Sequence, residues 1–398
     1  MNHNNFKVKI GSQDVSTQFG GLQISQSIGA HHQFQLILSN EERGSFFKGN
    51  LSENSKKWIG QPFEVEGLFK GVVTSISLSR ARTGGSDFLI SGQSPTIHFD
   101  DGIHAKSFGM KNLKQIVDEV AKSYKSKFET LNIKPIYKDK MKYCVQYRES
   151  NFSFLNRLAA RYGEWFFYDG YELNFGELNK SKVIRLNYER DLSHFEVSLK
   201  TLPVNFKLRA YDYKGHKFPE KSGNYSGIEN QFAKIAFDKS QNEVFPETPE
   251  VPIHFSMSEK DLDQITTLRQ NHHVNELVMM TGTSARPDLR LGSIIEVVDP
   301  RSGFEIGGTE NYGKYVITRL SHDVSGQREA YLNHFEAIPE ESIIPPLSIS
   351  PDPPHCEVQE AEVLENNDPK ALGRVRVQFI WQKEFNGEDK MTPWIRVA

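Results

Sequence analysis

One pattern constrains this chain more than any other: a pair of strand-like stretches occurs twice. WIGQPFEVEG (Trp58 to Gly67) followed by KGVVTSIS (Lys70 to Ser77) returns as RLGSIIEVVD (Arg290 to Asp299) followed by KYVITRLS (Lys314 to Ser321). Gly60, Phe63 and Val65 fall on Gly292, Ile295 and Val297 at one constant offset. Val72, Val73, Thr74 and Ile76 fall on Val316, Ile317, Thr318 and Leu320 at a second. A third block, Phe6-Lys7-Val8 against Phe206-Lys207-Leu208, fits in order. The offset changes only across loops, where insertions are tolerated. A chain that carries a strand-rich module twice displays twice as many modules as subunits when it forms a small odd-numbered oligomer.

At 398 residues the chain holds roughly two to four domains and can bury a sizeable core. Its net charge of -3 supplies no overall basic field for nucleic acid or anionic membrane. Cys144 and Cys356 are too few for a disulfide framework and point to synthesis in a reducing compartment. The start, MNHNNFKVKI, lacks the basic-then-apolar pattern of a secretory signal, and no apolar run reaches membrane-spanning length. Export, if it occurs, uses a route without a signal peptide.

Period-two alternation of Phe6/Val8/Ile10, Phe34/Leu36/Leu38, Phe63/Val65 and Val72/Thr74/Ile76/Leu78 marks half-buried antiparallel strands. Turns are expected at Gly20-Gly21 and Gly84-Gly85. A closed barrel over residues 1–95 would hide the strand edges. An α+β insertion is expected over 96–200. Leu113, Ile116, Val117, Val120, Tyr124 and Phe128 lie at helical spacing for four to five turns. A second helix is capped by Ser150 and stopped by Gly163, and Asp169-Gly170 joins two strands. A second barrel is expected over 201–216 and 284–338, interrupted by 217–283, which would continue the insertion with a helix from Ser258 to about Met279. Pro339, Pro345, Pro346, Pro351, Pro353 and Pro354 read as a stiff connector, 339–354. Residues 355–398 give strands that start a small barrel and break off within it.

Two segments carry a family resemblance. YRESNFSFLNRLAARYGEWFFY, through Arg148, Glu149, Ser150, Phe152, Phe154, Leu155, Arg157, Leu158 and Gly163, resembles a hub block of the VgrG spike proteins of type VI secretion, which are similar in turn to contractile phage tail hubs and spikes. The closing segment, through Gly373, Arg374, Val375, Arg376, Val377, Phe379, Trp381 and Trp394 to Ala398, is similar to the strand that opens their oligonucleotide/oligosaccharide-binding (OB) barrel. The resemblance implies a mainly β fold: two related β-barrel hub domains, an α+β insertion and the start of an OB-fold barrel. It also implies a homotrimer whose six barrels seat on a hexameric Hcp-like tube ring, with baseplate components as further partners. Assembly would be cytoplasmic, followed by export into the extracellular space or a target cell. The needle and effector region that would bind a tip protein is missing from the match, which would weaken the trimer.

Motifs that carry chemistry are few. His31-His32 and His272-His273 are adjacent pairs, and His272 shares a helical face with Glu276, but no HExxH or CxxC accompanies them. Solvated surface histidines are the commoner explanation. Cys144, in YCVQY, reads as a small buried hydrophobe rather than a nucleophile. No GxSxG element or phosphate-binding loop occurs. Acidic pairs such as Glu41-Glu42 and Glu340-Glu341 read as solvated loop charges, so the paired carboxylates of a glycosidase are not assignable. Alternation puts Val375, Val377 and Phe379 on one face and Arg374, Arg376 and Gln378 on a solvated or inter-subunit face, not a nucleic-acid platform. Trp165-Phe166-Phe167-Tyr168 reads as core. The expectation is a structural hub and spike protein without catalytic, cofactor or metal residues and without a membrane anchor. The hub of a phage tail or extracellular particle is the nearest alternative; a peptidoglycan hydrolase and a nucleic-acid-binding OB protein are the others.

Overall fold

The computed structural model describes residues 6–397 except 18, 41–50, 81–85, 181, 213–214, 224, 226–227, 254–258, 300–311, 326–329, 343 and 347–355. The chain forms two compact units: residues 1–94, 167–170 and 178–347 make one, and 95–166, 171–177 and 348–398 the other. Along the first unit's opening segment run β1 (Val8–Ile10), β2 (Gln13–Asp14), β3 (Phe19–Ser27), β4 (Gln33–Asn40), α1 (Leu51–Trp58), β5 (Pro62–Val65), β6 (Phe69–Arg80) and β7 (Ser86–Gln93). Next come β8 (His104–Asn112), α2 (Leu113–Ala121), β9 (Thr130–Lys134), β10 (Lys140–Glu149), α3 (Asn151–Tyr162), β11 (Trp165–Tyr168) and β12 (Glu172–Gly176). The long middle holds β13 (Val183–Asn187), β14 (Leu192–Leu199), β15 (Lys207–Arg209), β16 (Glu220–Ser222), α4 (Gln231–Lys239), β17 (Glu250–Pro252), α5 (Glu259–Leu277), β18 (Val278–Ser284), β19 (Ile294–Val298), β20 (Lys314–Ser325) and β21 (Ala330–Pro339). Last are β22 (Ala361–Glu365), β23 (Arg374–Phe379) and β24 (Ile395–Arg396).

The first unit is organised by one 13-stranded sheet, curled into half-barrels, ordered β14-β18-β21-β20-β3-β4-β7-β6-β5-β1-β2, with β19 pairing β20 and β13 pairing β19. Within it the repeat is a real duplication. Pro62↔Val72, Phe63↔Gly71 and Glu64↔Lys70 in the β5–β6 hairpin correspond to Ile294↔Val316, Ile295↔Tyr315 and Glu296↔Lys314 in β19–β20. These are the registers the sequence offsets require. The turn before each hairpin repeats as well. Gly60 (φ +80) donates its N–H to Val73 O at 2.8 Å, and Gly292 (φ +77) donates to Ile317 O at 2.9 Å. A left-handed backbone at this point favours glycine in both copies.

The duplication extends beyond what the sequence shows. β7 corresponds to β21, β4 to β18 and β3 to β14, so that Leu22↔Leu36 and Ile24↔Phe34 match Phe195↔Gly282 and Val197↔Met280. Irregularities recur at matching places: between Val73 and Ser75 and between Ile317 and Arg319, then between Phe19 and Gly21 and between Leu192 and His194. A bulge shifts every later side chain by one position, so its recurrence keeps the same faces buried in both modules.

Several expectations need correction. Gly20-Gly21 lies inside β3, while Gly84-Gly85, Glu41-Glu42 and Ser258 fall outside the described residues, as does the connector from 347 to 354. The third repeat block is not equivalent. β1 pairs antiparallel to β5, whereas Lys207 and Leu208 belong to a separate three-stranded sheet, β16-β15-β17. Its core of Phe206, Leu208, Ala210 and Leu262 sets it apart. The second module therefore begins with β14, not with 201–216, and includes β18, most of which lies within the 217–283 expected to continue the insertion. The rest of 217–283 belongs to the first unit, not to the insertion. The α2 helix also ends sooner than its spacing suggests, passing into a 3-10 turn over Lys122–Lys127.

In the second unit the antiparallel β8–β10 pair carries α3, whose Phe154, Leu155 and Leu158 are buried. Phe154 stacks on Phe108 with ring centroids 5.5 Å apart. Ser150 caps α3 by accepting from the Ser153 N–H, and Gly163 closes it at φ +70. All four residues of Trp165–Tyr168 are buried, as a core strand requires. β22, β23 and β24 form a three-stranded antiparallel sheet.

Candidate assembly surface

The two modules are joined inside the chain by one strand pair. β20 runs antiparallel to β3 from Arg319↔Ser27 to Ser325↔Gly21. Leu22, Ile24 and Gln26 from β3 and Leu320, His322 and Val324 from β20 are all buried there. A polar relay lies in this joint. Gln26 Nε2 donates to His32 Nδ1 (3.1 Å), and Gln26 Oε1 accepts from His322 Nε2 (3.0 Å). His322 Nδ1 accepts from the Tyr331 hydroxyl (2.7 Å), which accepts from Asn333 Nδ2 (3.0 Å). An amide NH₂ can only donate and an amide oxygen only accept, so Gln26 fixes the tautomer of both imidazoles. Burial holds His32 and His322 at a pKa of about 3, so both are neutral at ordinary pH. The surface reading of the His31-His32 pair thus fails for His32. No sequence signal marked it, since its partner lies six residues away and the next link 296 further along the chain.

The equivalent joint is open. β6 corresponds to β20 and β14 to β3. Among the described residues no strand pairs the outer edge of β6 from Ser75 to Arg80, and β14 ends the sheet. The side chains there differ accordingly. Leu199, equivalent to the 3 % exposed Gln26, is 42 % exposed, and Ile76, Leu78, Phe195 and Val197 are only half-buried.

The motif residues of the second unit serve packing and chain direction. Arg148 adopts φ +51 at an irregularity between Tyr147 and Glu149. That places Glu149 against Arg157 of α3 in a two-pronged pair, Nε to Oε2 at 3.0 Å and Nη2 to Oε1 at 2.6 Å. Arg157 also donates to Val145 O and lies over the Phe154 ring. Phe152 packs on Phe166. Gly373 turns the chain at φ +66, and Trp381 stacks on Phe379 with centroids 5.7 Å apart. Val377 is buried, Val375 and Trp394 half-buried. Arg374 is not on a solvated face. It is buried and forked onto Asp368, at 2.9 and 2.6 Å, and this guanidinium holds the Asp368 carboxyl far below the usual range. Cys144 is buried in β10, and burial pushes its thiol up to about 11. His272 and Glu276 approach at 4.0 Å, and among the described residues no three His, Cys, Asp or Glu side chains gather as a metal site. Nor is any described helix long and apolar enough to cross a membrane.

Comparison with known proteins agrees with this architecture. The family model "Phage tail baseplate hub (GPD)" matches residues 29–328. The type VI secretion system spike protein VgrG4b of Pseudomonas aeruginosa is 25% identical over 289 residues, which are 64% of this chain and 34% of that protein; the chain thus spans about a third of its length. A solved Escherichia coli protein, described as a component of the type VI secretion system with structural similarity to the bacteriophage tail proteins gp27 and gp5, superimposes with a TM-score of 0.64. It is 13% identical, with 98% of this chain and 92% of that one covered. The 43 kDa tail protein of prophage MuSo2 from Shewanella oneidensis gives a TM-score of 0.61 at 14% identity, covering 84% and 98%. A match across most of the doubled sheet, rather than across one module, settles the assignment: the chain belongs to the phage tail baseplate hub (GPD) family and is a VgrG-like hub and spike protein.

Proposed function

We propose that this chain is the trimeric hub of a contractile injection apparatus of the type VI secretion kind. Three copies present six sheet modules to a hexameric Hcp-like tube ring, while a threefold spike faces the other way. The strand-for-strand duplication supports this reading. A subunit that carries a module twice can present near-sixfold symmetry to one partner and threefold symmetry to another. The hub works by transmitting force and does no chemistry. The motif residues Arg148, Glu149, Phe152, Phe154, Leu155, Leu158, Gly163, Gly373, Val375, Val377, Phe379, Trp381 and Trp394 act as packing and turn residues. Assembly takes place in the cytoplasm, and the sheath then drives the hub out of the cell without a signal peptide. Baseplate proteins would hold it before firing, and a tip protein and effectors would ride on the spike.

Light scattering on the purified chain, alone and with the hexameric tube protein of the same secretion cluster, tests the reading. The expected result is a three-chain mass that binds one tube ring. A single-chain mass that ignores the ring refutes it, and cell-wall clearing on a zymogram would replace it with a hydrolase.

A further inference from the structure

We propose that the cavity between α5, the start of α4 and the end of β21 binds an alkylammonium or alkylguanidinium group, with Glu341 and Asn275 as its principal acceptors. The cavity measures about 280 Å³ and lies wholly within the first unit.

Hydrogen-bond direction around the cavity decides what it can hold. Several of its lining donors already serve backbone carbonyls. Asn275 Nδ2 donates to Ile344 O at 2.8 Å and Asn271 Nδ2 to Thr267 O at 2.9 Å. The Thr267 hydroxyl donates to Asp263 O at 2.9 Å, and the Tyr225 hydroxyl to Val204 O at 2.6 Å. What these side chains leave for a ligand is oxygen that accepts. At the start of α4, the Phe232 and Ala233 N–H groups would suit an anion, but Asn230 Oδ1 caps them at 3.0 and 3.1 Å.

Two acceptors on the lining residues stand unpaired. Asn275 is only 4 % exposed, yet its Oδ1 accepts no hydrogen bond among the described residues, and neither does the buried Glu341 Oε2. Such groups cost free energy that a donating ligand would offset. The charged side chains lining the cavity are Glu229 and Glu341, and among the described residues no Lys, Arg or His lines it. Glu341, expected as a solvated loop charge, is half-buried. Burial, with Glu229 and Glu340 nearby, pushes its carboxyl up, and a bound cation would reverse that shift. Ile228, Ala233 and Val274 give an apolar wall for an alkyl stem. An ammonium or guanidinium head donates through several N–H groups and accepts nothing, which matches an acidic, acceptor-lined cavity; an anion does not.

Isothermal titration of the purified chain with n-butylguanidinium and n-butylammonium tests the site. Each should bind once per chain, and tetramethylammonium, which has the charge but no N–H, should bind at least about tenfold more weakly. Glu341→Gln should weaken butylguanidinium about tenfold or more, whereas Glu340→Gln, next in sequence but outside the cavity lining, should change it less than about threefold. Asn271→Leu removes a further acceptor at a half-buried position of α5 and should weaken binding about threefold, a second reading that does not depend on Glu341→Gln folding. Binding of Nα-acetyl-lysine methylamide as tight as that of butylammonium assigns the site to a basic side chain of a partner; its exclusion assigns the site to a free alkyl cation. No saturation by either butyl cation up to about 20 mM, equal binding of tetramethylammonium, or equal losses from Glu341→Gln and Glu340→Gln overturns the proposal. Tube-ring binding decides the hub reading separately.

Discussion

The relay through Gln26 ties the joint between the modules to pH, and the size of the effect can be worked out. His32 and His322 have folded pKa values of about 3 against 6.5 when exposed. Below 6.5 the unfolded chain binds protons that the folded joint refuses. Their contribution to stability is therefore complete above about pH 6.5 and is lost as pH falls toward about 3. Between about pH 7.5 and pH 5 each histidine removes about 2 kcal/mol, so the pair removes about 4. That is a large share of a typical 5–15 kcal/mol of folding stability. His322→Leu, which copies Leu78 of the other module, separates two effects. At neutral pH it strands Gln26 Oε1 and the Tyr331 hydroxyl, costing about 1–3 kcal/mol for each. Between about pH 7.5 and pH 5 it should lose about 2 kcal/mol less than the wild type, because one titrating group is gone. Hydrogen exchange of β3 and β20 amides is the suitable assay, since a chain of two units need not unfold in one step. Other titrating groups cancel in the difference between the two proteins. Parallel pH profiles for wild type and His322→Leu would refute the neutral, tautomer-locked relay.

Four further outcomes are expected. Gly92→Ala should cost about 2–3 kcal/mol in urea unfolding, because its Cβ would lie 2.0 Å from Val72 O and 2.4 Å from the Phe34 ring. Gly60→Ala meets nothing within 4 Å and should cost only the about 1–2 kcal/mol of a left-handed backbone. Arg157→Met leaves Glu149 and Val145 O without their partner and should cost about 3 kcal/mol, read by the melting of α3 amides. Asp368→Asn breaks the fork to Arg374 and should speed hydrogen exchange in β23 while leaving the doubled sheet unchanged.

What could be read from the sequence follows from how locally each feature is determined. The β5–β6 and β19–β20 hairpins were legible because a glycine turn and an alternating strand impose residue types whatever the neighbours. The same holds for Ser150, Gly163 and the α3 stripe, whose roles are set within one helix. The β3/β14 and β4/β18 equivalences were hidden because a strand's side chains answer to whatever lies across the sheet. Gln26 faces His322, whereas among the described residues no strand pairs β14 on the side of its counterpart Leu199. Phe206-Lys207-Leu208 misled because three alternating residues suit any half-buried strand. Arg374 misled in the opposite direction: alternation put it in solvent, and only the turn at Asp368 brings a carboxylate to meet it.

The contrast between the two joints also bears on how a duplicated hub keeps its register. Within one chain the modules are always at high local concentration, so the inner joint needs little affinity. It can hold a polar relay, which tolerates no slip: a one-residue shift would turn Gln26 and His322 to the other face and break the Gln26 bonds to both imidazoles. Straightening the bulge in β20 by deleting Thr318 should therefore turn His322 away from Gln26 and weaken the joint, read as faster hydrogen exchange of β3 amides. Unchanged exchange of those amides in the deletion would show that the bulge does not set the register of the joint.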